Sequence, residues 1–113
     1  MGPAYESQIE EYFQVTAVGT TAGVSATKAA PAEAGDRYSV CGIQCSGDIA
    51  AVVTIESPAA TILWQKRMTG AWQLSERFTP GDMKGARGAA ILVKVSASTT
   101  NSEANIQGHR LGG

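Results

Sequence analysis

Eight segments of strand length follow one another along this chain, with no amphipathic helix among them, and this feature constrains the fold most. Each segment is bounded by Gly, Pro, Ser or Asn, residues that favour turns over strand interiors. The segments read YFQVTAVG, GVSATKAA, RYSVCGIQCSG, AAVVTIES, ATILWQKRM, AWQLSERF, AAILVKVSAS and EANIQGHRL. Such spacing is typical of a sandwich, a jelly roll or a small barrel. At 113 residues the chain has room for one domain. We expect an all-β fold, a single antiparallel β-sandwich that is jelly-roll-like and has about eight strands.

Two short breaks and one long one predict how the strands connect. SPAA and MTGA are short enough for hairpin turns, so the segments around Ile55, Trp64 and Leu74 are predicted to form a three-stranded antiparallel meander. TPGDMKGARG, residues 79–88, holds three glycines and a proline and is too long for a simple hairpin. We predict that it crosses between two sheets.

Residues 1–13 differ in pattern from the predicted sandwich domain of residues 14–113. Spacings of four from Tyr5 to Ile9 and from Ile9 to Phe13 would place these side chains on one side of a short helix, but the same residues could equally form an extended arm. The segment is either an edge element on the domain's own core or an arm that docks on a neighbouring subunit. For the second case the candidate partner-binding residues are Tyr5, Ile9, Tyr12 and Phe13.

Cys41 and Cys45 have a spacing that could serve a metal, a redox pair or a disulfide. On a straight strand both would share one face with Ile43, about 13 Å apart, whereas a disulfide needs Cα atoms within about 7 Å. A zinc site would want about four Cys or His ligands, and the chain has a single histidine, His109. We predict that both cysteines are buried hydrophobic residues and expect no metal and no cofactor.

No other group of residues predicts catalysis, so we expect a protein that is not an enzyme and has no catalytic residues. The sequence has no nucleophile elbow and no phosphate-binding loop. Glu10 and Glu11 are the adjacent carboxylates, and we interpret them as solvated rather than as paired acids of a hydrolase. Trp64 and Trp72 each have an apolar neighbour on the same strand face, which favours core positions over an exposed sugar-stacking platform.

Charge and hydropathy argue against two classes of partner. The net charge is −1, charged residues make up 17% of the chain, and Lys and Arg are scattered, so a phosphate-binding face is not expected. We therefore predict no nucleic-acid partner. No segment approaches the roughly 18 apolar residues of a membrane helix, and the N-terminus does not resemble a secretory signal. We expect no membrane partner, and synthesis in the cytoplasm.

The stretch from Ser25 to Leu111 resembles small β-sandwich virion proteins of tailed bacteriophages, in particular capsid decoration (cement) proteins. The resemblance lies in an ordered run of features: SATKAAPAEAGDRYSVCGIQCS, then the hairpin VVTIESPAATILWQKR, then FTPGDMKGARGAAILVKVSAST with its Pro-Gly loop, and last ANIQGHRL. It implies a structural protein that binds the outer surface of an assembled capsid and bridges major capsid subunits. It also implies the major capsid protein as partner, a homo-oligomer (a trimer before a dimer), and a place on the virion surface after assembly in the host cytoplasm.

Two alternatives remain open at this point. One is another virion module with the same sandwich, such as a head fibre, tail or receptor-binding component. The other is a non-viral carbohydrate-binding module, which predicts Trp64 or Trp72 on the surface. A fold of this kind serves all of these functions, so the surface has to discriminate among them.

Overall fold

The computed structural model describes residues 7–19, 23–79, 81–96 and 101–112, with side chains from residue 11 onward. The described chain is all-β, as expected, with eight strands and no helix. The strands are β1 (Ser7–Gly19), β2 (Val24–Lys28), β3 (Arg37–Gly47), β4 (Ala51–Glu56), β5 (Ile62–Met68), β6 (Trp72–Arg77), β7 (Ile91–Ser96) and β8 (Ser102–Gly112).

The strands form two four-stranded antiparallel sheets. Sheet A has the order β1-β8-β3-β6, and sheet B has the order β2-β7-β4-β5. Strands pair from the two ends of the chain inward, β1 with β8, β2 with β7, β3 with β6 and β4 with β5, as in a long hairpin that has been rolled up. This order is the jelly roll, so the expected sandwich is confirmed.

The core lies between the sheets and consists mainly of β-branched side chains. Alternation along each strand sends every second residue inward, so that Val93 and Val95 of β7 are fully buried. Burying a Val or Ile side chain contributes about 1.5–3 kcal/mol. The largest fully buried aliphatic side chains are those of Val40, Ile43, Val53, Ile55, Ile91, Val93, Val95 and Ile106.

A β-bulge in β3 overturns part of the cysteine prediction. The register of β3 against β8 shifts between Val40 and Gly42, so Cys41 is an extra residue in the strand. The shift lets Val40 and Ile43 both face the core, although a straight strand would put them on opposite faces. Cys45 is buried as predicted, whereas Cys41 is partly exposed; both thiols are free.

The predicted three-stranded meander is also wrong in its third strand. β4 and β5 form the hairpin in sheet B, but β6 pairs with β3 in sheet A. Residues 69–71, with Gly70 at a φ of 63°, therefore connect one sheet to the other. At this side the two edge strands lie opposite each other, and the rings of Trp64 and Phe78 meet edge to face at 5.7 Å.

The long crossing after β6 is confirmed, and one serine anchors it. The chain leaves sheet A at Arg77 and enters sheet B at Ile91. Ser57 is buried beneath this loop; its Oγ donates to the carbonyl oxygen of Ala90 at 2.7 Å and accepts from the backbone N–H of Ala86 at 3.1 Å. A single hydroxyl thus satisfies two backbone groups of the loop.

The described part of the segment 1–13 is strand and not helix. Residues 7–13 continue into residues 14–19 as one strand, β1, at the edge of sheet A. Tyr5 lies outside the described residues, and for Ile9 the structure describes the backbone position in β1 only. Over its described part this segment is an edge element of the sheet.

Candidate binding surface

Strand alternation sends Tyr12 and Phe13 to opposite faces of sheet A. Tyr12 points outward and is 51% exposed. Its ring meets His109 edge to face at 5.5 Å, and its hydroxyl donates to Oε1 of Gln14 at 3.3 Å. Tyr12 is therefore the one member of the predicted partner-binding set whose side chain the structure describes on the surface.

Phe13 belongs to the core of its own domain. It is 6% exposed, and its ring packs edge to face against Tyr38 at 5.1 Å. The Nζ of Lys28 lies 5.9 Å from the centre of the same ring. Because it is buried, Phe13 is not available as an anchor for a partner in this fold. The sequence prediction failed here because residue spacing does not show which face of an edge strand is buried.

An ionic cluster closes the end of the sandwich beside Phe13. Nε of Arg110 donates to Oε1 of Glu11 at 2.6 Å, and its Nη1 donates to the buried carboxylate of Asp36. Hydrogen bonding to Glu11 is the main reason why the pKa of Arg110 is raised. Burial, and then the charge of Glu11, raise the pKa of the Tyr38 hydroxyl, which donates to the carbonyl oxygen of Ala29 at 2.6 Å. The cluster ties β1 and β8 to the loop before β3.

The outer face of sheet A is a polar surface with few charges. The register aligns three outward rows of four residues across β1, β8, β3 and β6. Of these twelve positions only Glu103 and Arg77 carry a charge, each in an outer row. The rows are Val18–Glu103–Ser46–Gln73, Thr16–Asn105–Gln44–Ser75 and Gln14–Gln107–Gly42–Arg77.

Hydrogen bonds organise the middle of this face. Asn105 is buried although it points outward, and its Nδ2 donates to Oγ1 of Thr16 at 2.6 Å. Its Oδ1 accepts from Nε2 of Gln107 at 3.0 Å. These bonds hold the side chains in one orientation and leave the neighbouring Gln44 exposed. The face can offer amide and hydroxyl groups to a partner without first removing water from a charge.

Two shallow hollows lie over β3 and β6 on the same side of the molecule. One has a volume of about 590 Å³ and is lined in part by Ser46, Asp48, Trp72 and Gln73. The other, of about 450 Å³, shares Ser46 and Gln73 with the first. Trp72 is 8% exposed, and its Nε1 donates to the carbonyl oxygen of Ile49 at 2.9 Å. Its indole is therefore a wall of the hollow and is committed to the domain's own structure.

The outer face of sheet B contains one buried carboxylate, Glu56. It accepts hydrogen bonds from the hydroxyl of Thr54 and the backbone N–H of Ala60, each at 2.7 Å. Burial by itself raises the pKa of this carboxyl, but the two hydrogen bonds and the charge of Lys94 outweigh that effect and hold the pKa below its usual range. Glu56 thus fixes the turn after β4.

The thiols and the histidine are dispersed. Burial raises the pKa of the Cys45 thiol to about 11, which keeps it protonated, and Cys41 lies at the bulge. Within the part of the chain that the structure describes, no group of three or more His, Cys, Asp or Glu is placed to hold a metal ion. The described residues also form no helix of the length and apolar character needed to cross a membrane.

Sequence reasoning proposed Tyr12, which is exposed and whose partner-binding role stays a prediction, but it missed the polar face. Its signal was present, because Gln, Asn, Ser and Thr alternate with apolar residues in four of the strand segments. The sequence could not show that these four strands are neighbours. Together the fold and this face define a jelly-roll domain with a polar, hydrogen-bonding sheet surface that carries few charges. No protein-family model matches the sequence, and a search of curated proteins finds no match either.

Proposed function

We propose that this chain is a non-enzymatic structural virion protein that binds the outer surface of an assembled phage capsid and stabilises contacts between major capsid subunits. Its place is then the capsid surface, and its partners are the major capsid protein and further copies of itself. The jelly-roll strand order supports this proposal, since the fold is common among viral capsid proteins. Fold alone leaves several functions open, so the surface has to support the proposal as well.

The observation that carries the proposal is the outer face of sheet A. It presents side-chain amides and hydroxyls from four strands, and its middle row, Thr16–Asn105–Gln44–Ser75, carries no charge. Charged groups are depleted at the centres of protein interfaces, where their desolvation is unfavourable. A surface that binds nucleic acid would instead carry Lys and Arg in a cluster. The face therefore suits a protein surface as its partner.

Repetition makes a modest interface sufficient. A stable contact buries about 800 Å² on each partner, and a capsid offers the same site many times. Once a copy is attached to one capsid subunit, its second contact with the neighbouring subunit forms at a raised effective concentration. Each copy that bridges two subunits therefore adds its interaction energy to the stability of the shell. In this proposal Tyr12 lies at the margin of the contact, and Tyr5 and Ile9 remain proposed partner-binding residues.

The structure favours this function over carbohydrate binding. A sugar platform uses exposed aromatic faces, but Trp72 is buried, and Trp64 is partly buried against Phe78. Among the aromatic side chains that the structure describes, Tyr12 is the most exposed, at 51%. A head-fibre, tail or receptor-binding role uses the same fold, and the capsid experiment below separates it from a decoration role.

The test is cosedimentation with capsid shells that lack this protein, assembled from the major capsid protein of the same genome. We expect saturable binding at a fixed copy number per shell and greater heat resistance of the loaded shells. The Gln44→Lys/Gln73→Lys variant, which places two charges on the outer face of sheet A, should lose binding.

The matched control is the Ser25→Lys/Thr27→Lys variant, which adds the same charge to exposed positions on the outer face of sheet B. It should bind like the unaltered chain. Absence of binding by the unaltered chain would refute the decoration role and favour a fibre or receptor-binding role. Equal loss in both variants would show that net charge, and not the face of sheet A, controls attachment.

A further inference from the structure

Strand β1 is a long sheet edge without a strand beside it. It has 13 residues, whereas the other three edge strands, β2, β5 and β6, have 5, 7 and 6. β8 pairs with one side of β1, and among the described residues no strand pairs with its other side. The backbone N–H and C=O groups that point away from β8 are a template for another strand.

The second half of β1 lacks the features that usually protect such an edge. YFQVTAVG, residues 12–19, contains no charged residue and no proline. Its register against β8 is continuous from Glu11 to Gly19, with the one irregularity lying before Glu11. By contrast, β5 carries Lys66 and Arg67 on its exposed surface. Charges and bulges are the common means of blocking edge-to-edge association, and this part of β1 has neither.

Apolar side chains on β1 are incompletely covered. On the outer face Tyr12 is 51% exposed and Val18 is 74% exposed. Among the described residues, no other large apolar side chain is as exposed as Val18. On the inner face Val15 and Ala17 are packed against the core but only partly buried. A strand added beside β1 would cover residues on both faces.

These residues are arranged symmetrically about Val15, and this symmetry identifies the partner. Tyr12 lies three positions before Val15, and Val18 lies three positions after it. We propose that β1 pairs antiparallel with β1 of a second copy of this chain, across a two-fold axis at Val15. Each Tyr12 then lies opposite Val18 of the second copy, on the same face, and the two four-stranded A sheets join into one sheet of eight strands.

Charge agrees with this register. Glu11 lies opposite Gly19 of the second copy, so no two carboxylates face each other, and Arg110 already neutralises Glu11 at 2.6 Å. A register centred on Gln14 would place Val18 opposite Glu10, and one centred on Thr16 would place Val18 opposite Gln14. Only the register at Val15 matches both exposed apolar residues with each other, in two symmetric pairs.

In an isologous antiparallel pair, residue i of one copy faces residue j of the other and j faces i, so two exposed apolar residues spaced equally about one position fall opposite each other, as Tyr12 and Val18 do about Val15. The pairing would also close at two copies, because it consumes the β1 edge of both A sheets. The proposed dimer does not depend on binding to a capsid. A monomeric chain would therefore refute the dimer alone, and a chain that does not bind capsids would refute the decoration role alone.

The test measures the oligomeric state of the full chain by sedimentation velocity and light scattering from about 1 to 100 µM, a range that brackets micromolar dissociation constants. We expect a dimer. In the Tyr12→Lys/Val18→Lys variant, a lysine at position 12 of each copy faces a lysine at position 18 of the other. These two repulsive pairs should raise the dissociation constant by about tenfold or more. Tyr12→Glu/Val18→Lys puts opposite charges at the same positions and should restore the dimer. Ser25→Lys/Thr27→Lys is the control and should dimerise normally.

A cysteine substitution tests the register directly. Val15→Cys places the cysteine of one chain opposite the same cysteine of the second chain, at a Cα separation of about 4.5–5.5 Å that suits a disulfide. Under mild oxidation it should form a covalent dimer. Ala17→Cys lies opposite Phe13 of the second copy and should not, and the unaltered chain, which keeps Cys41, is the blank.

Three results would overturn the proposal. The unaltered chain could remain a monomer at the highest concentration, or it could form a trimer. The dimer could also survive Tyr12→Lys/Val18→Lys with an unchanged dissociation constant, which would place the interface elsewhere. Circular dichroism of each variant checks that the fold is kept. If the double-lysine variant unfolds, the Val15→Cys and Ala17→Cys pair still decides the register.

Discussion

Gly108 lies where sheet A has no room for a side chain, and its replacement by alanine tests the packing of the two central strands. β8 runs between β1 and β3, and Gly108 pairs with Phe13 on one side and Val40 on the other. A Cβ at Gly108 would overlap the backbone carbonyl oxygen of Ser39 and would come within 2.9 Å of Cζ of Phe13. Gly108 does not have a positive φ, so space, and not backbone conformation, requires glycine here.

The structure sets the size of the effect. The carbonyl of Ser39 is part of β3, and the ring of Phe13 is held against Tyr38, so neither can move without disturbing the core. Overpacking of this kind costs about 3 kcal/mol at its upper range. The smaller conformational freedom of unfolded alanine offsets about 1 kcal/mol. A net loss of about 2 kcal/mol lowers Tm by about 8 °C for a domain of this size.

The assay is thermal unfolding followed by circular dichroism, with Gly42→Ala as the matched control. Gly42 also lies in a central strand of sheet A, but a Cβ there would be 3.4 Å from the nearest atom, the carbonyl oxygen of Glu76. That variant should melt within about 3 °C of the unaltered chain, since an ordinary contact adds less than about 1 kcal/mol. If Gly108→Ala also melts within this range, the reasoning about space at Gly108 is refuted.

Three further predictions concern buried polar groups. Glu56→Gln should lower the free energy of unfolding by about 1–3 kcal/mol at pH 7. Because the pKa of Glu56 is lowered in the folded chain, the stability that its carboxylate contributes is present above the pKa of the unfolded chain and is lost as pH falls through the pKa of the folded chain. The urea midpoints of the variant and the unaltered chain should therefore converge in acid. Since burial raises the pKa of Cys45 to about 11, alkylation near neutral pH should label the native chain at Cys41 and the urea-unfolded chain at both cysteines; native labelling of Cys45 would contradict its burial. Ser57→Ala should lower the free energy of unfolding by about 2 kcal/mol, measured in urea, because two loop backbone groups lose their partner, and an unchanged midpoint would mean that water replaces the hydroxyl.

The eight strands were predictable because each is a local pattern. Alternation of apolar and polar residues, with glycine, proline or serine at the ends, marks a strand wherever it pairs. The long loop of residues 79–88 was predictable as a crossing for a similar reason, since its length and glycine content rule out a tight hairpin. The sequence also placed Tyr12 among the candidate partner-binding residues, and that role stays a prediction.

Pairing between distant strands decided what the sequence could not. β6 has the same local pattern whether it follows β5 in one sheet or crosses to β3 in the other, and the choice depends on which arrangement buries Trp72 and Leu74. The bulge at Cys41 has the same origin, because one extra residue is invisible until β3 is aligned with β8.

Both candidate surfaces likewise exist only in the tertiary structure. The polar face of sheet A assembles side chains from β1, β3, β6 and β8, which lie far apart along the chain. The equal spacing of Tyr12 and Val18 about Val15 is visible in the sequence, but it can serve pairing between two copies only because β1 is an edge strand. The positions of the strands follow from local sequence, since strand formation depends on neighbouring residues. Which strand faces and edges reach the surface follows from the packing of the two sheets, since it depends on contacts between residues distant in sequence.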